Sequence, residues 1–153
     1  MRLVGCDGTE VGIRILGYEF PDAQDYDDAN WLLVEVEGVC ELGRWKTVFP
    51  CLEVRDAWFL VEWLRRIATG MSVEPEIGFI EPDLRFILLP AGDEGVTVRV
   101  YFELEVRPPW SPSGSAYEED CWLNISTSRE ALIEASAALE RELQAFPERG
   151  TNA

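Results

Sequence analysis

Leu16-Gly-Tyr-Glu-Phe-Pro-Asp-Ala-Gln-Asp-Tyr-Asp-Asp-Ala-Asn-Trp-Leu32 joins two apolar runs through a loop that carries four aspartates, Asp22, Asp25, Asp27 and Asp28. Phe20 stops at Pro21, which has no N–H to give a sheet, and apolar alternation resumes only at Trp31. The segment between them therefore crosses the surface. Two strands tied by such a loop set a period-two reading for this part of the chain, and the flanking segments extend it.

Upstream, residues 2–6 and 11–20 are apolar runs on either side of Asp7-Gly8-Thr9-Glu10, and an Asp-Gly step in that position predicts an antiparallel hairpin. Val11, Ile13 and Ile15 face one way, Arg14, Leu16 and Tyr18 the other. Downstream, Leu32, Val34 and Val36 alternate with Leu33, Glu35 and Glu37, the pattern of a half-solvated strand with an acidic outer face. Residues 38–43 then turn the chain into a short strand over Arg44–Phe49, closed by Pro50. From Leu52 the apolar period lengthens to about 3.6. Phe59, Leu60, Trp63, Leu64 and Ile67 form the stripe of a helix that Asp56 would cap and Gly70 would end.

Farther on, Ile77–Ile80 and Leu84–Leu89 flank Glu81-Pro82-Asp83, a second hairpin. Val96, Val98, Val100, Phe102, Leu104 and Val106 face inward against Thr97, Arg99, Tyr101, Glu103, Glu105 and Arg107. A strand of that length would run roughly 36 Å, so it must bend or twist strongly. Residues 108–119 are a Pro/Ser/Gly-rich loop carrying Trp110, and Cys121–Ile125 is a last strand. Thr127 and Glu130 fit a capping box opening a helix whose stripe is Leu132, Ala135, Leu139, Leu143 and Phe146, ended by Pro147. Tyr26-Asp-Asp-Ala-Asn-Trp-Leu32 echoes Tyr117-Glu-Glu-Asp-Cys-Trp-Leu123, but the elements that follow differ and the two share no register, which argues against duplication.

The sum is an α+β chain with a mainly antiparallel sheet of about seven or eight strands, sandwich-like or strongly bent, and two packed helices. With 153 residues, 47% of them hydrophobic, one domain over residues 1–147 is expected, followed by a disordered tail over 148–153. Thirteen Lys and Arg against 29 Asp and Glu give a net charge of −16, which argues against nucleic acid or an anionic membrane and favours a basic partner. No apolar run approaches the roughly 20 residues of a membrane span, and no signal peptide is legible, so a cytoplasmic location is expected. Cys6, Cys40, Cys51 and Cys121 form no C-x-x-C pair and no histidine accompanies them, so no zinc site is predicted and the thiols read as small buried hydrophobes.

The absence of histidine also removes the commonest general base, and no catalytic constellation emerges. Asp25, Asp27 and Asp28, or Glu103 and Glu105, could form an acid–base pair or hold a divalent cation, but the loop lacks the glycine and distal glutamate of a calcium loop. The plainer reading is a solvated acidic loop in which Asn30 or Asp28 caps a turn. No metal or cofactor is predicted. For a partner, the densest candidate surface is Asp22, Asp25, Asp27 and Asp28, with the outer-face pair Glu103 and Glu105 second. Trp110 reads equally as a partner anchor or as the cover of a sheet edge, and the other tryptophans lie within periodic elements and read mostly as core.

Gly17-Tyr18-Glu19-Phe20-Pro21, the acidic segment ending in Asn30-Trp31-Leu32, Trp45, Pro50-Cys51-Leu52 and the helix with Trp63-Leu64 resemble the WapI family of bacterial immunity proteins. The resemblance implies a cytoplasmic binding protein that protects a cell from the toxic C-terminal domain of a secreted polymorphic toxin, in some cases an RNase. It implies no chemistry of its own. The alternative from the residues alone is a small-molecule-binding or enzymatic domain using the concave side of a bent sheet.

Overall fold

The structure is a computed structural model that describes residues 1–90, 92, 95–111 and 120–150. Eight strands form two four-stranded antiparallel sheets, accompanied by three helices, an α+β fold with no closed barrel. The first sheet runs in chain order through β1 (Arg2–Val4), β2 (Glu10–Tyr18), β3 (Trp31–Cys40) and β4 (Gly43–Glu53). The second runs through β5 (Glu76–Gly78), β6 (Leu84–Leu88), β7 (Val96–Phe102) and β8 (Trp122–Thr127). The two sheets adjoin just past β1, where the Cys6 N–H donates to the Ser126 carbonyl at 2.9 Å. One turn of helix, α1 (Tyr26–Ala29), lies in the aspartate loop, α2 (Val54–Ala68) links the sheets, and α3 (Arg129–Leu143) follows β8.

Alternation puts Val11, Ile13, Leu32, Val34 and Val36 of the first sheet and Phe86, Val98, Val100 and Ile125 of the second into one shared core. The two long helices pack on each other above it, with Ala57, Leu60, Leu64, Leu132, Ala135 and Leu139 buried. Glu142 fastens α3 to the first sheet by accepting from the Ile15 N–H at 2.8 Å. The hairpins expected at Asp7-Gly8 and Pro82-Asp83 are present as the β1–β2 and β5–β6 pairs.

Several expectations are corrected. β4 does not close at Pro50 but runs to Glu53, because a proline on the last strand of a sheet forfeits no ladder bond and the register shift opposite Leu32/Val34 absorbs the extra residue. Phe59 is exposed, since the buried stripe of α2 is centred on Ala57, Leu60, Val61 and Leu64 and leaves it to one side. Asp56 stands inside α2, where its carboxylate accepts from the Glu53 N–H at 3.1 Å, and Glu53 takes the cap position. The cap of α3 is Ser128, accepting from the Ala131 N–H, while Thr127 still belongs to β8. Cys51 is buried, but Cys6 is exposed. Trp45 and Trp63 are core, whereas Trp122 lies on the outer sheet face under the Arg99 guanidinium at 3.8 Å.

The long final strand is also shorter than expected. β7 ends at Phe102, and a 3-10 turn over Leu104–Val106 follows, with Leu104 at φ 48. That break turns Leu104 outward and removes Glu103 and Glu105 from any strand face. Residues 112–119, and with them most of the Pro-rich loop and the second acidic echo, lie outside the described residues.

Trp45 fixes the start of β4. Its indole lies across Gly38, its cross-strand partner, donates Nε1–H to the Val106 carbonyl at 2.9 Å, and meets Phe102 and Trp110 edge-on at 4.9 and 5.4 Å. A Cβ at position 38 would stand 2.1 Å from the Trp45 ring. Gly38→Ala is expected to lose about 2 kcal/mol in urea unfolding, the scale of overpacking in a filled core. A wild-type midpoint would contradict this placement.

Candidate functional site

The aspartate loop is a built structure. Asp25 caps the N-terminus of α1, its Oδ1 accepting from the Asp28 N–H at 2.9 Å, and Asn30, one of the two residues expected to cap a turn, caps its C-terminus. Asn30 is buried and acts as a hub. Its Nδ2 donates to the Tyr26 and Arg149 carbonyls, both at 2.9 Å, and its Oδ1 accepts from the Arg149 N–H at 2.8 Å. The Asn30 carbonyl accepts the first N–H of α2, from Val54, at 3.0 Å.

The C-terminal segment completes the loop. The Arg149 guanidinium lies 3.5 Å over the Tyr18 ring and donates to the carbonyls of Phe20, Pro21 and Ala29 at 2.7 to 3.2 Å. Tyr26 Oη donates to Glu148, and Gly150, at φ 81, lies so close to Tyr26 that a Cβ would stand 2.9 Å from its Cα. The tail expected from Glu148 is thus attached at least through Gly150, while 151–153 lie outside the described residues. The reason is chemical. The turn ends leave carbonyls without helix or sheet partners, and a guanidinium supplies five donors in a fixed fork.

Asp22, Asp25, Asp27 and Asp28 all project to solvent from this frame. Glu19, at the end of β2, links them to the second hairpin: burial and the nearby carboxylates of Asp28 and Glu81 hold its carboxyl above the usual range. Glu81 belongs to the tight turn before β6, and the next acid in that turn, Asp83, is 0% exposed. Burial first, then Glu105 and Glu81, push Asp83 up to about 7. The Glu103 N–H donates to the Asp83 carbonyl at 2.8 Å, which brings the turn after β7 against the turn before β6.

Asp28 and Glu81 thus act on Glu19, and Glu81 and Glu105 on Asp83, which links the aspartate loop to the turn after β7 through the Glu81–Asp83 turn. No sequence pattern singles out Glu19, Glu81, Asp83 or Arg149 as site residues, nor the hub role of Asn30. Glu105 is exposed and Glu103 half-buried, in a turn and not as an outer-face pair. Cations near this edge are engaged, Arg55 with Glu53 at 2.6 Å and Arg149 with the loop carbonyls. The outer face of β3, by contrast, is neutralised: Glu35 pairs with Lys46 at 3.3 Å, and Glu37 with Arg2 at 2.9 Å and Arg44 at 3.2 Å. Trp110 covers the start of β4 by packing on Trp45 and Gly43, and remains 40% exposed.

The buried acid gives a pH signature. A carboxyl whose folded pKa is raised binds protons more tightly in the folded state, so its stabilising contribution is present below pH 4 and is lost as pH rises through 7. Asp83→Asn removes that loss. The variant is expected to gain on the wild type by on the order of 2–4 kcal/mol between pH 4 and 8, read as unfolding midpoints across pH. A constant difference across that range would show that Asp83 is not protonated in the folded protein.

Among the described residues, no group of three His, Cys, Asp or Glu is placed to hold a metal ion, and no helix is long and apolar enough to cross a membrane. What the edge offers is dense, fixed negative charge on a rigid support. No curated protein matches the chain. The sequence model of the immunity protein WapI-like family matches residues 2–147, nearly the whole chain, and the chain belongs to that family.

Proposed function

We propose that this protein neutralises a cognate polymorphic toxin by binding a cationic surface of the toxin domain with its acidic edge. Family membership supports a binding role over a catalytic one. The observation that carries the surface assignment is that acids from three separate segments act on one another, Asp28 and Glu81 on Glu19 and Glu81 and Glu105 on Asp83, while Glu35 and Glu37 are neutralised elsewhere. A toxin that acts on nucleic acid needs a basic surface of its own, so a nuclease is the partner class this edge fits best. Binding over that surface would occlude the substrate groove as well as attract the toxin. The setting is the cytoplasm of the bacterial cell that carries the toxin.

The test is co-expression with the toxin domain encoded beside this chain. Growth is expected to be restored by the wild-type protein, and the purified pair should co-elute. Continued growth arrest despite soluble expression of both proteins would overturn the assignment.

A further inference from the structure

The outer face of the second sheet carries a group of side chains that the acidic edge does not use. Phe86, Val98, Val100 and Ile125 belong to the core, so alternation turns Arg85, Arg99, Tyr101, Trp122 and Asn124 outward. Register sets Arg85, Tyr101 and Trp122 side by side across β6, β7 and β8, with Arg99 opposite Asn124 in the next row. The Arg85 guanidinium lies 3.8 Å over the Tyr101 ring, and the Arg99 guanidinium 3.8 Å over the Trp122 ring. Stacking holds each planar cation flat and leaves in-plane N–H groups able to donate. Arg85 has a carboxylate partner, Glu76 at 3.1 Å. Arg99 instead donates from Nε to the neutral Asn124 Oδ1 at 2.9 Å and from Nη1 to the Tyr101 hydroxyl at 3.4 Å, and no carboxylate among the described residues pairs with it. In a chain with 29 acids, a half-buried guanidinium set against an amide keeps its charge open.

We propose that this face is a second docking surface, at which Arg99, held by Trp122 and Asn124, receives a carboxylate from an extended acidic segment of a protein partner. Charge and spacing are both complementary. Arg85 and Arg99 are diagonal neighbours on adjacent strands, a separation of about 7–8 Å. Carboxylates at alternate positions of an extended chain project to one side about 7 Å apart. The exposed Arg85–Glu76 pair contributes little in water, so Arg85 can take the second carboxylate. Trp122, 41% exposed beside Arg99, offers apolar surface to the stem of the incoming side chain. Other occupants fit less well. A nucleic acid brings a continuous row of phosphates to a chain of net charge −16, and two arginines do not offset that repulsion. A second copy using the same face would set arginine against arginine across a two-fold axis. Nothing in this face depends on the toxin assignment.

The test uses the capped peptide acetyl-Glu-Thr-Glu-amide, with proton–nitrogen NMR of the Arg99 Nε–H and Trp122 Nε1–H groups as the readout. The wild-type protein is expected to show saturable shifts at both groups with a dissociation constant on the order of 1–10 mM, the scale of two charge-assisted contacts. Acetyl-Gln-Thr-Gln-amide should produce none. Arg99→Gln should weaken the peptide by at least about tenfold with the unfolding transition still cooperative, and Arg99→Lys should recover little of it, because an ammonium presents no fork. Shifts that do not saturate in the wild type, or equal binding by either Arg99 variant, would overturn the proposal. So would tighter binding of an oligothymidylate than of the peptide, or self-association of the protein that Arg99→Gln abolishes, since each would name a different occupant.

Discussion

Changing Asp25, Asp27 and Asp28 together to asparagine is expected to slow association with the toxin domain by about tenfold to a hundredfold at low salt. The three carboxylates are exposed and lie on one turn of helix, so they act on an approaching partner through field and not through packing. Asparagine suits the comparison because its side-chain oxygen can still accept from the Asp28 backbone N–H, which keeps the cap on α1. Unfolding should move by less than about 0.5 kcal/mol, since asparagine caps a helix about as well as aspartate and Asp27 and Asp28 are exposed. The effect should shrink as ionic strength rises and the Debye length falls to about 8 Å or below. Stopped-flow fluorescence separates the two rate constants, and the change should fall mainly on association. Unchanged association at every salt concentration would make the loop a soluble connector and move attention to the partly exposed Trp110.

Arg149→Ala should have the largest effect on the integrity of the edge. The guanidinium satisfies carbonyls of Phe20, Pro21 and Ala29 at once and covers the Tyr18 ring. A hydrogen bond to a charged group contributes about 1.5–3 kcal/mol, and the carbonyls left behind are only partly reachable by water. We expect a loss of about 2–3 kcal/mol in global stability and a larger local effect, read as faster amide exchange at Asp28, Ala29 and Val54. Arg149→Lys should recover little, because a single ammonium cannot span three carbonyls or stack as a plane. Wild-type exchange in Arg149→Ala would show that Asn30 alone holds the loop.

Much of the architecture was legible. Alternation over Val11–Ile15 and Leu32–Val36, with turn residues at Asp7-Gly8 and Pro82-Asp83, was enough to give antiparallel hairpins, and the spacing of Leu132, Ala135, Leu139 and Leu143 gave α3. The misses share a physical cause. Pro50 and Leu104 sit where local pattern and tertiary context diverge: a bulged edge strand tolerates the one, and the turn after β7 puts the other in a left-handed conformation. Once Leu104 breaks the alternation, Glu105 is carried over to the Glu81–Asp83 turn, a placement no count along the chain predicts. Arg149 reads as tail in the sequence because its partners are backbone carbonyls more than a hundred residues away, which carry no sequence signature. The candidate edge is legible in the sequence only as charge density. The aspartates announced themselves, but their neighbours Glu19, Glu81 and Asp83 became visible only when three segments met.

The most direct test of the acidic-edge account is the association rate of the wild-type protein with the proposed toxin partner, measured across a series of salt concentrations. The account predicts fast association at low salt that falls steeply as salt rises, with dissociation changing little, and a shallower slope when Asp25, Asp27 and Asp28 are asparagine. A rate indifferent to salt, or a slope identical in the two proteins, would contradict it.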